Sequence, residues 1–62
     1  MIVNFFKVIS GDHRNKALLV SRNIEHIPMR GEYVTYNNQL FRVAKVILNI
    51  DAREYDILLI RV

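Results

Sequence analysis

A chain of 62 residues has room for one domain, and it buries only about 60% of the surface that its unfolded form exposes, so its stability as a lone chain is marginal. The absence of cysteine excludes disulfides and thiolate metal sites, and the two histidines, His13 and His26, are too far apart to form a ligand pair on one helix or hairpin. Nine basic and six acidic residues give a formal net charge of +3, a balance that favours phosphate-bearing partners.

Runs of β-branched and aromatic residues alternate along the chain with turn residues, which is typical of a small all-β domain. The first strand is followed by a turn at Ser10-Gly11-Asp12, and Pro28 and Gly31 bracket a tight connection before the third strand. A polar turn over 51–54 precedes the last strand. The strands are predicted at residues 2–9, 17–23, 32–36, 40–49 and 55–62, with one helical turn as the alternative for 17–23. One domain over 1–62 is therefore expected to form a five-stranded SH3-like barrel or a curled antiparallel sheet.

The Asn37-Asn38 pair is the strongest hairpin signal in the chain. Asparagine tolerates the positive φ that a two-residue type I′ turn requires at both central positions. Such a turn places Tyr36 opposite Gln39, Thr35 opposite Leu40, Val34 opposite Phe41 and Tyr33 opposite Arg42. Because opposed residues share a face of the sheet, Val34 and Phe41 are predicted on the core side and Tyr33 and Arg42 on the other side.

The fourth strand changes its apolar phase along its length. Phe41 and Val43 lie on odd positions, whereas Val46, Leu48 and Ile50 continue on even positions. A phase change within one strand is what a β-bulge produces, and bulges bend strands where sheets curl. We therefore expect a bulge near Ala44.

The outer strands are apolar on both faces, which predicts association. In the last strand, Leu58 and Ile60 alternate with Tyr55, Ile57 and Leu59. A core this small hides one face of such a strand, and the other face needs a partner subunit or stays exposed to water. We expect a homo-oligomer whose interface includes the following residues: Leu40, Tyr55, Ile57 and Leu59.

The segments Pro28-Met29-Arg30-Gly31-Glu32-Tyr33-Val34 and Phe41-Arg42-Val43-Ala44-Lys45-Val46 resemble a pattern of short phage and bacterial SH3-like barrels. In that pattern a Pro-x-x-Gly-Glu turn leads into a strand, a tight hairpin and an aromatic-x-Val-x-x-Val strand. The match covers residues 28–48, about a third of the chain. The resemblance implies a binding or inhibitory module, often encoded by a virus, and it brings no catalytic residues.

Enzymatic chemistry has little support in the sequence. The hydroxyl side chains lie outside any nucleophile-elbow context, and Asp12-His13 is more typical of a solvated turn than of an acid–base pair. The carboxylates around the 51–54 turn are too few and too mixed with arginine for a calcium loop. We expect no catalytic residues, no metal and no cofactor.

Anion binding is better supported, because six of the nine basic residues are arginines. Tyr33 opposite Arg42 offers a ring for a base and a guanidinium for a phosphate, although the same pair could simply stabilise the hairpin through a cation–π contact. Tyr36 is a second candidate platform, and Arg14 and Lys16 extend the positive rim. The predicted ligand is nucleic acid or a small nucleotide signal, and in the latter case the protein would sequester it as a viral inhibitor of host defence.

Protein binding is the rival function. Exposed tyrosine, arginine and aliphatic residues are also typical of interface hot spots, and a short barrel can inhibit a host protein through an apolar face or an edge strand. A purely structural oligomer subunit is a third alternative. No apolar run approaches the ~20 residues that cross a bilayer, and no export signal is evident, so we expect a cytoplasmic protein (bacterial or infected-host cytosol) without membrane contact.

Overall fold

The computed structural model describes residues 1–9 and 14–62, and it has five strands and no helix in those ranges. The strands are as follows: β1 Ile2–Val8, β2 Lys16–Asn23, β3 Tyr33–Tyr36, β4 Gln39–Asn49 and β5 Glu54–Arg61. The predicted all-β class and the five predicted strands are confirmed, with most strand ends displaced by one residue. The predicted turn at Ser10-Gly11-Asp12 lies outside the described residues.

The five strands form one curled sheet, a half-barrel, in the order β2-β1-β5-β4-β3. Three of the four neighbouring pairs are antiparallel, but β1 and β5 run parallel. The sheet is thus mixed rather than purely antiparallel. The reason is that β1 and β5 are the first and last strands, so no hairpin turn fixes their relative direction.

The β3–β4 hairpin has the predicted register, with Tyr33 opposite Arg42 and Val34 opposite Phe41. Asn37 and Asn38 have φ angles of 52° and 62°, as a type I′ turn requires. The predicted bulge in β4 is also confirmed. Val43 pairs with Leu59 and Lys45 with Leu58, so Ala44 has no residue opposite it and the later residues of the strand change face.

One face of the sheet, here called the core face, holds nearly all of the buried apolar residues. Side chains from β1, β4 and β5 meet there with at most 7% of their surface exposed: Val3, Phe5, Phe41, Val43, Ile57 and Leu59. Ile24 and Ile27, from the segment between β2 and β3, pack against this cluster. The opposite side of the sheet is called the outer face.

The core location of Ile57 and Leu59 corrects the interface predicted from the sequence. Both side chains are 0% exposed within a single chain, so they have no surface left to contact a second subunit. Tyr55 is half-buried and packs against the same cluster. Leu40 alone of the four predicted interface residues keeps substantial exposure, at 42%, on the outer face.

Candidate functional site

Tyr33 and Arg42 lie side by side on the outer face, as the hairpin register dictates. Their neighbours Val34 and Phe41 face the core, which leaves Tyr33 63% exposed and Arg42 exposed. In the described part of the chain the cation–ring contact is that of Lys16 with Phe6, and Tyr33 and Arg42 do not form one with each other. The Tyr33 ring is therefore not covered by Arg42.

Arg30 reaches the same region because the turn that carries it is fixed to β4. The Gly31 amide donates to the Val43 carbonyl at 2.9 Å, and the Val43 amide donates to the Glu32 carbonyl at 2.8 Å. Gly31 has a φ of 91°, a conformation that favours glycine. Arg30 consequently lines a depression of about 250 Å³ together with these residues: Gly31, Arg42, Val43, Ala44 and Ile60.

Arg61 pairs with Phe41, so its side chain starts from the core side of the sheet, although its position in the chain is next to Ile60. It lies near the end of β5, where the Val62 amide donates to the Leu40 carbonyl at 3.1 Å and holds the chain against β4. A second depression, of about 280 Å³, is lined by Tyr33, Arg42, Ile60, Arg61 and Val62. The two depressions share Arg42 and Ile60. We refer to Arg30 and Arg42, with Tyr33, as the arginine cluster.

No member of the arginine cluster forms an ion pair with a carboxylate among residues 1–9 and 14–62. Glu32, the nearest acid in sequence, accepts a hydrogen bond from the Met29 amide at 2.6 Å and lies 3.9 Å from His26 Nε2. The charge of the two guanidinium groups is therefore not balanced by an ion pair within the described residues, which favours an anion at this position.

The carboxylates of the outer face lie at the opposite end of β5. Glu54 Oε1 and Asp56 Oδ1 both accept hydrogen bonds from Asn4 Nδ2, at 2.7 and 3.0 Å. Asn4 Oδ1 in turn accepts one from Ser21 Oγ at 2.6 Å. The outer face is thus divided into an acidic end, held by this network, and a basic end, which carries the arginine cluster.

The structure separates Tyr36 from the other predicted ligand-binding residues. Tyr36 lines a cleft of about 220 Å³ on the core face, between the edge strands β2 and β3, with Phe5 and Leu59 at its floor and Arg22 at its rim. It therefore does not share a surface with Tyr33 and Arg42.

Lys16 and Arg14 lie at the basic end of the sheet. Lys16 pairs with Val8 on the outer face, and its Nζ lies 5.4 Å from the centre of the Phe6 ring. Arg14 is exposed just before β2. Asp12 and His13, the weak acid–base candidate, lie outside the described residues.

Arg30 and Ile60 were missed by the sequence reasoning. The turn that carries Arg30 was recognised, but its hydrogen bonds to Val43 connect positions eleven and twelve residues apart and leave no sequence signal. A signal did exist for Ile60. The short turn between β4 and β5 requires antiparallel pairing, which brings Ile60 opposite Arg42.

A comparison of the chain with family models, curated proteins and solved structures finds no match. Among the described residues there is no helix long and apolar enough to cross a membrane. In the same ranges no three side chains of metal-ligating type come together.

Proposed function

We propose that this protein is a non-enzymatic binding module for a phosphate-bearing ligand, nucleic acid or a nucleotide, and that the arginine cluster is its site. The observation that carries the proposal is the convergence of Arg30 and Arg42 around Ile60, beside the exposed Tyr33 ring and without a carboxylate partner in the described structure. Like charges repel, so a surface that gathers two guanidinium groups gains stability when an anion joins them.

The residue types suit such a ligand. A guanidinium group presents planar paired donors that match two oxygens of one phosphate, which a lysine ammonium does not. Tyr33, 63% exposed beside Arg42, offers a ring on which a base stacks while the arginine contacts the phosphate. An exposed aromatic ring next to a guanidinium group favours a ligand that contains a nucleotide over a simple inorganic anion.

The proposal is tested by the salt dependence of ligand binding and by two variants that each remove one positive charge. We expect a fluorescently labelled oligothymidylate of about ten nucleotides to bind at ~50 mM salt and to bind far more weakly at ~200 mM. Arg42→Ala is expected to weaken binding about tenfold, since it removes a charge-assisted contact. The control is Arg53→Gln, which removes one charge from the turn between β4 and β5 at the acidic end.

Three results would contradict the proposal. Binding that is indifferent to salt would exclude an electrostatic site. An equal loss in Arg42→Ala and Arg53→Gln would mean that net charge, rather than the arginine cluster, sets the affinity. Failure of both the oligothymidylate and a labelled nucleotide triphosphate to bind at low salt would exclude the ligand class.

The cleft on the core face favours a second candidate function, the binding of an extended peptide. Within the described sheet, β2 and β3 each pair on one side only, so both offer backbone groups to an added strand. The apolar floor at Phe5 and Leu59 would receive an aliphatic side chain, and Arg22 at the rim selects for an acidic neighbour.

Synthetic peptides distinguish this second function from the first. A short valine-rich peptide with a central glutamate should shift the amide resonances of β2 and β3, whereas its lysine counterpart should not. Arg22→Gln should abolish the difference between the two peptides, and Arg42→Ala should leave it intact. Identical spectra with and without the glutamate peptide would exclude the cleft as a peptide site.

A further inference from the structure

We propose that the ligand of the outer face is a single-stranded nucleic acid that runs across all five strands, from the arginine cluster to Lys16. This inference rests on the proposed function and narrows it, because it assigns a second contact region and a minimum length to the ligand. Three observations carry it: the register of the strands, the position of the acidic residues, and the presence of a cation and an aromatic side chain at each end of the path.

Strand register places five outer-face residues on one line across the sheet. Tyr33 pairs with Arg42, Arg42 with Ile60, and Val8 with Lys16. Lys7 pairs with Leu59 in the parallel β1–β5 ladder, so the next residues, Val8 and Ile60, are neighbours. The line therefore runs in this order: Tyr33, Arg42, Ile60, Val8 and Lys16.

The length of this line exceeds that of a mononucleotide. Neighbouring strands lie about 4.8 Å apart, so Arg42 and Lys16 are separated by three strand spacings, roughly 14 Å, and Tyr33 and Lys16 by roughly 19 Å. A single nucleotide held at Arg42 cannot contact Lys16 over that span. A single-stranded segment of about four nucleotides or more, the lower end of the site size of small barrels, covers it.

Each end of the line combines a cation with an aromatic ring. At one end Arg42 lies beside Tyr33. At the other end Lys16 lies over Phe6, with Nζ 5.4 Å from the ring centre. Between them Ile60, 38% exposed, provides apolar surface. The Lys16 ammonium covers the Phe6 ring, so Phe6 positions Lys16 for a phosphate, and the open ring of Tyr33 is the stacking platform. Stacking on Tyr33 requires a base that is not stacked within a duplex, so this arrangement selects single strands over double strands.

The acidic end of the outer face determines the path of the nucleic acid over the sheet. Asp56 lies four residues before Ile60 on β5, and Glu54 lies two residues further. A polyanion that followed β5 would meet both carboxylates within about 20 Å, at 3.3 Å per residue. A path across the strands at the level of Ile60 avoids them and meets cations at both ends. Repulsion therefore favours the path across the strands over the path along them.

The test measures affinity against the length of the ligand. Labelled oligothymidylates, from the dinucleotide to about ten nucleotides, are titrated with the full chain and followed by fluorescence anisotropy at ~50 mM salt. We expect the affinity to rise at least about tenfold between the dinucleotide and about five nucleotides, and then to level off. An annealed duplex of the same length should bind at least about fivefold more weakly than the single strand.

Two variants locate the second contact region. Lys16→Ala and Phe6→Leu should each weaken binding of the longer oligothymidylate about fivefold and leave the dinucleotide unaffected. Arg42→Ala should weaken both ligands. Lys16 is exposed, so its replacement leaves the core intact, and Phe6→Leu keeps apolar volume while removing the ring. Circular dichroism of each variant confirms the fold before titration.

The outcomes separate this inference from the proposed function. If the dinucleotide binds as tightly as the longer strands and Lys16→Ala has no effect, the inference is overturned while binding at the arginine cluster stands, as sequestration of a small nucleotide would require. If the duplex binds as tightly as the single strand, the inference is also overturned. If neither nucleotides nor oligothymidylates bind, both the inference and the proposed function fail.

Discussion

Leu58 and Leu59 are consecutive residues of β5, and both are almost fully buried although their side chains lie on opposite faces of the sheet. Leu59 is 0% exposed in the core cluster, and Leu58 is 2% exposed on the outer face. The register places Phe6 and Lys45 on either side of Leu58. The centre of the outer face is thus covered by its own long side chains, with the Lys16 ammonium above Phe6.

Truncation of these two leucines should destabilise the protein to different extents. Leu59→Ala leaves a cavity among large side chains of the core and should lower the free energy of unfolding by about 3–4 kcal/mol. Leu58→Ala should lower it by about 2 kcal/mol, because the flexible neighbours on the outer face can close over the space. Urea denaturation of the two variants beside the wild type measures both losses. A larger loss for Leu58→Ala would mean that the outer face is the better-packed side.

The parts of the fold that were predicted correctly depend on residues that are close in the sequence. Asn37 and Asn38 determine the register of β3 against β4, because a two-residue turn leaves one way to pair the flanking strands. The change of apolar phase after Ala44 predicted the bulge, because the alternation of side chains is also a local property that is read within a single strand. From these two features alone, Tyr33 and Arg42 were placed together on one face.

The parts that could not be predicted depend on contacts between distant segments. Nothing in β1 or β5 determines that they pair in parallel, and it is this pairing that buries Ile57 and Leu59 in the middle of the sheet. The sequence pattern shows that a strand is apolar on both faces, but it does not show which of the two faces packs in the core. The line from Arg42 to Lys16 needs the full strand order, and it therefore emerged only from the structure.

Replacement of Asn4 should weaken the sheet, because this side chain joins three strands on the outer face. Its amide donates to Glu54 and Asp56 and accepts from Ser21. Asn4→Ala removes the donor that two neighbouring carboxylates share, and we expect a loss of about 2 kcal/mol in the free energy of unfolding. Thermal unfolding at low ionic strength measures it, with Thr35→Ala, an exposed position of β3, as the control.

Salt should reduce the loss in Asn4→Ala. The uncovered carboxylates of Glu54 and Asp56 repel each other, and added salt screens that repulsion. The difference in stability between the variant and the wild type should therefore shrink between ~0.05 and ~1 M sodium chloride. A difference that stays constant over this range would show that the lost hydrogen bonds alone account for the effect.

Two positions with positive φ should respond in opposite directions to substitution. Arg53 has a φ of 56°, which is unfavourable for a residue with a Cβ atom, so Arg53→Gly should stabilise the protein by about 0.5–1 kcal/mol. Gly31 has a φ of 91°, and no atom lies within 4 Å of the place of an added Cβ. Gly31→Ala should therefore destabilise by about 1–2 kcal/mol through backbone strain alone. Urea denaturation checks both signs, and a neutral Gly31→Ala would show that the turn can relax.

Self-association through the free edge of β2 is the remaining expectation, now that Ile57 and Leu59 have been assigned to the core. β2 is an eight-residue edge strand, twice as long as the other edge, β3, and Leu18 on it is 57% exposed. A long edge strand with an exposed apolar side chain is a template for pairing with a strand of a second molecule, and natural proteins often prevent such pairing with charged side chains on the edge.

Native mass spectrometry tests this expectation and should give a multiple of 7.3 kDa for the wild type. Leu18→Lys places a charge on the edge and should give the monomer mass, with Leu40→Lys on the outer face of β4 as the matched control. A wild-type monomer would contradict the expectation, and an oligomer lost only in Leu40→Lys would move the interface from the edge to the outer face.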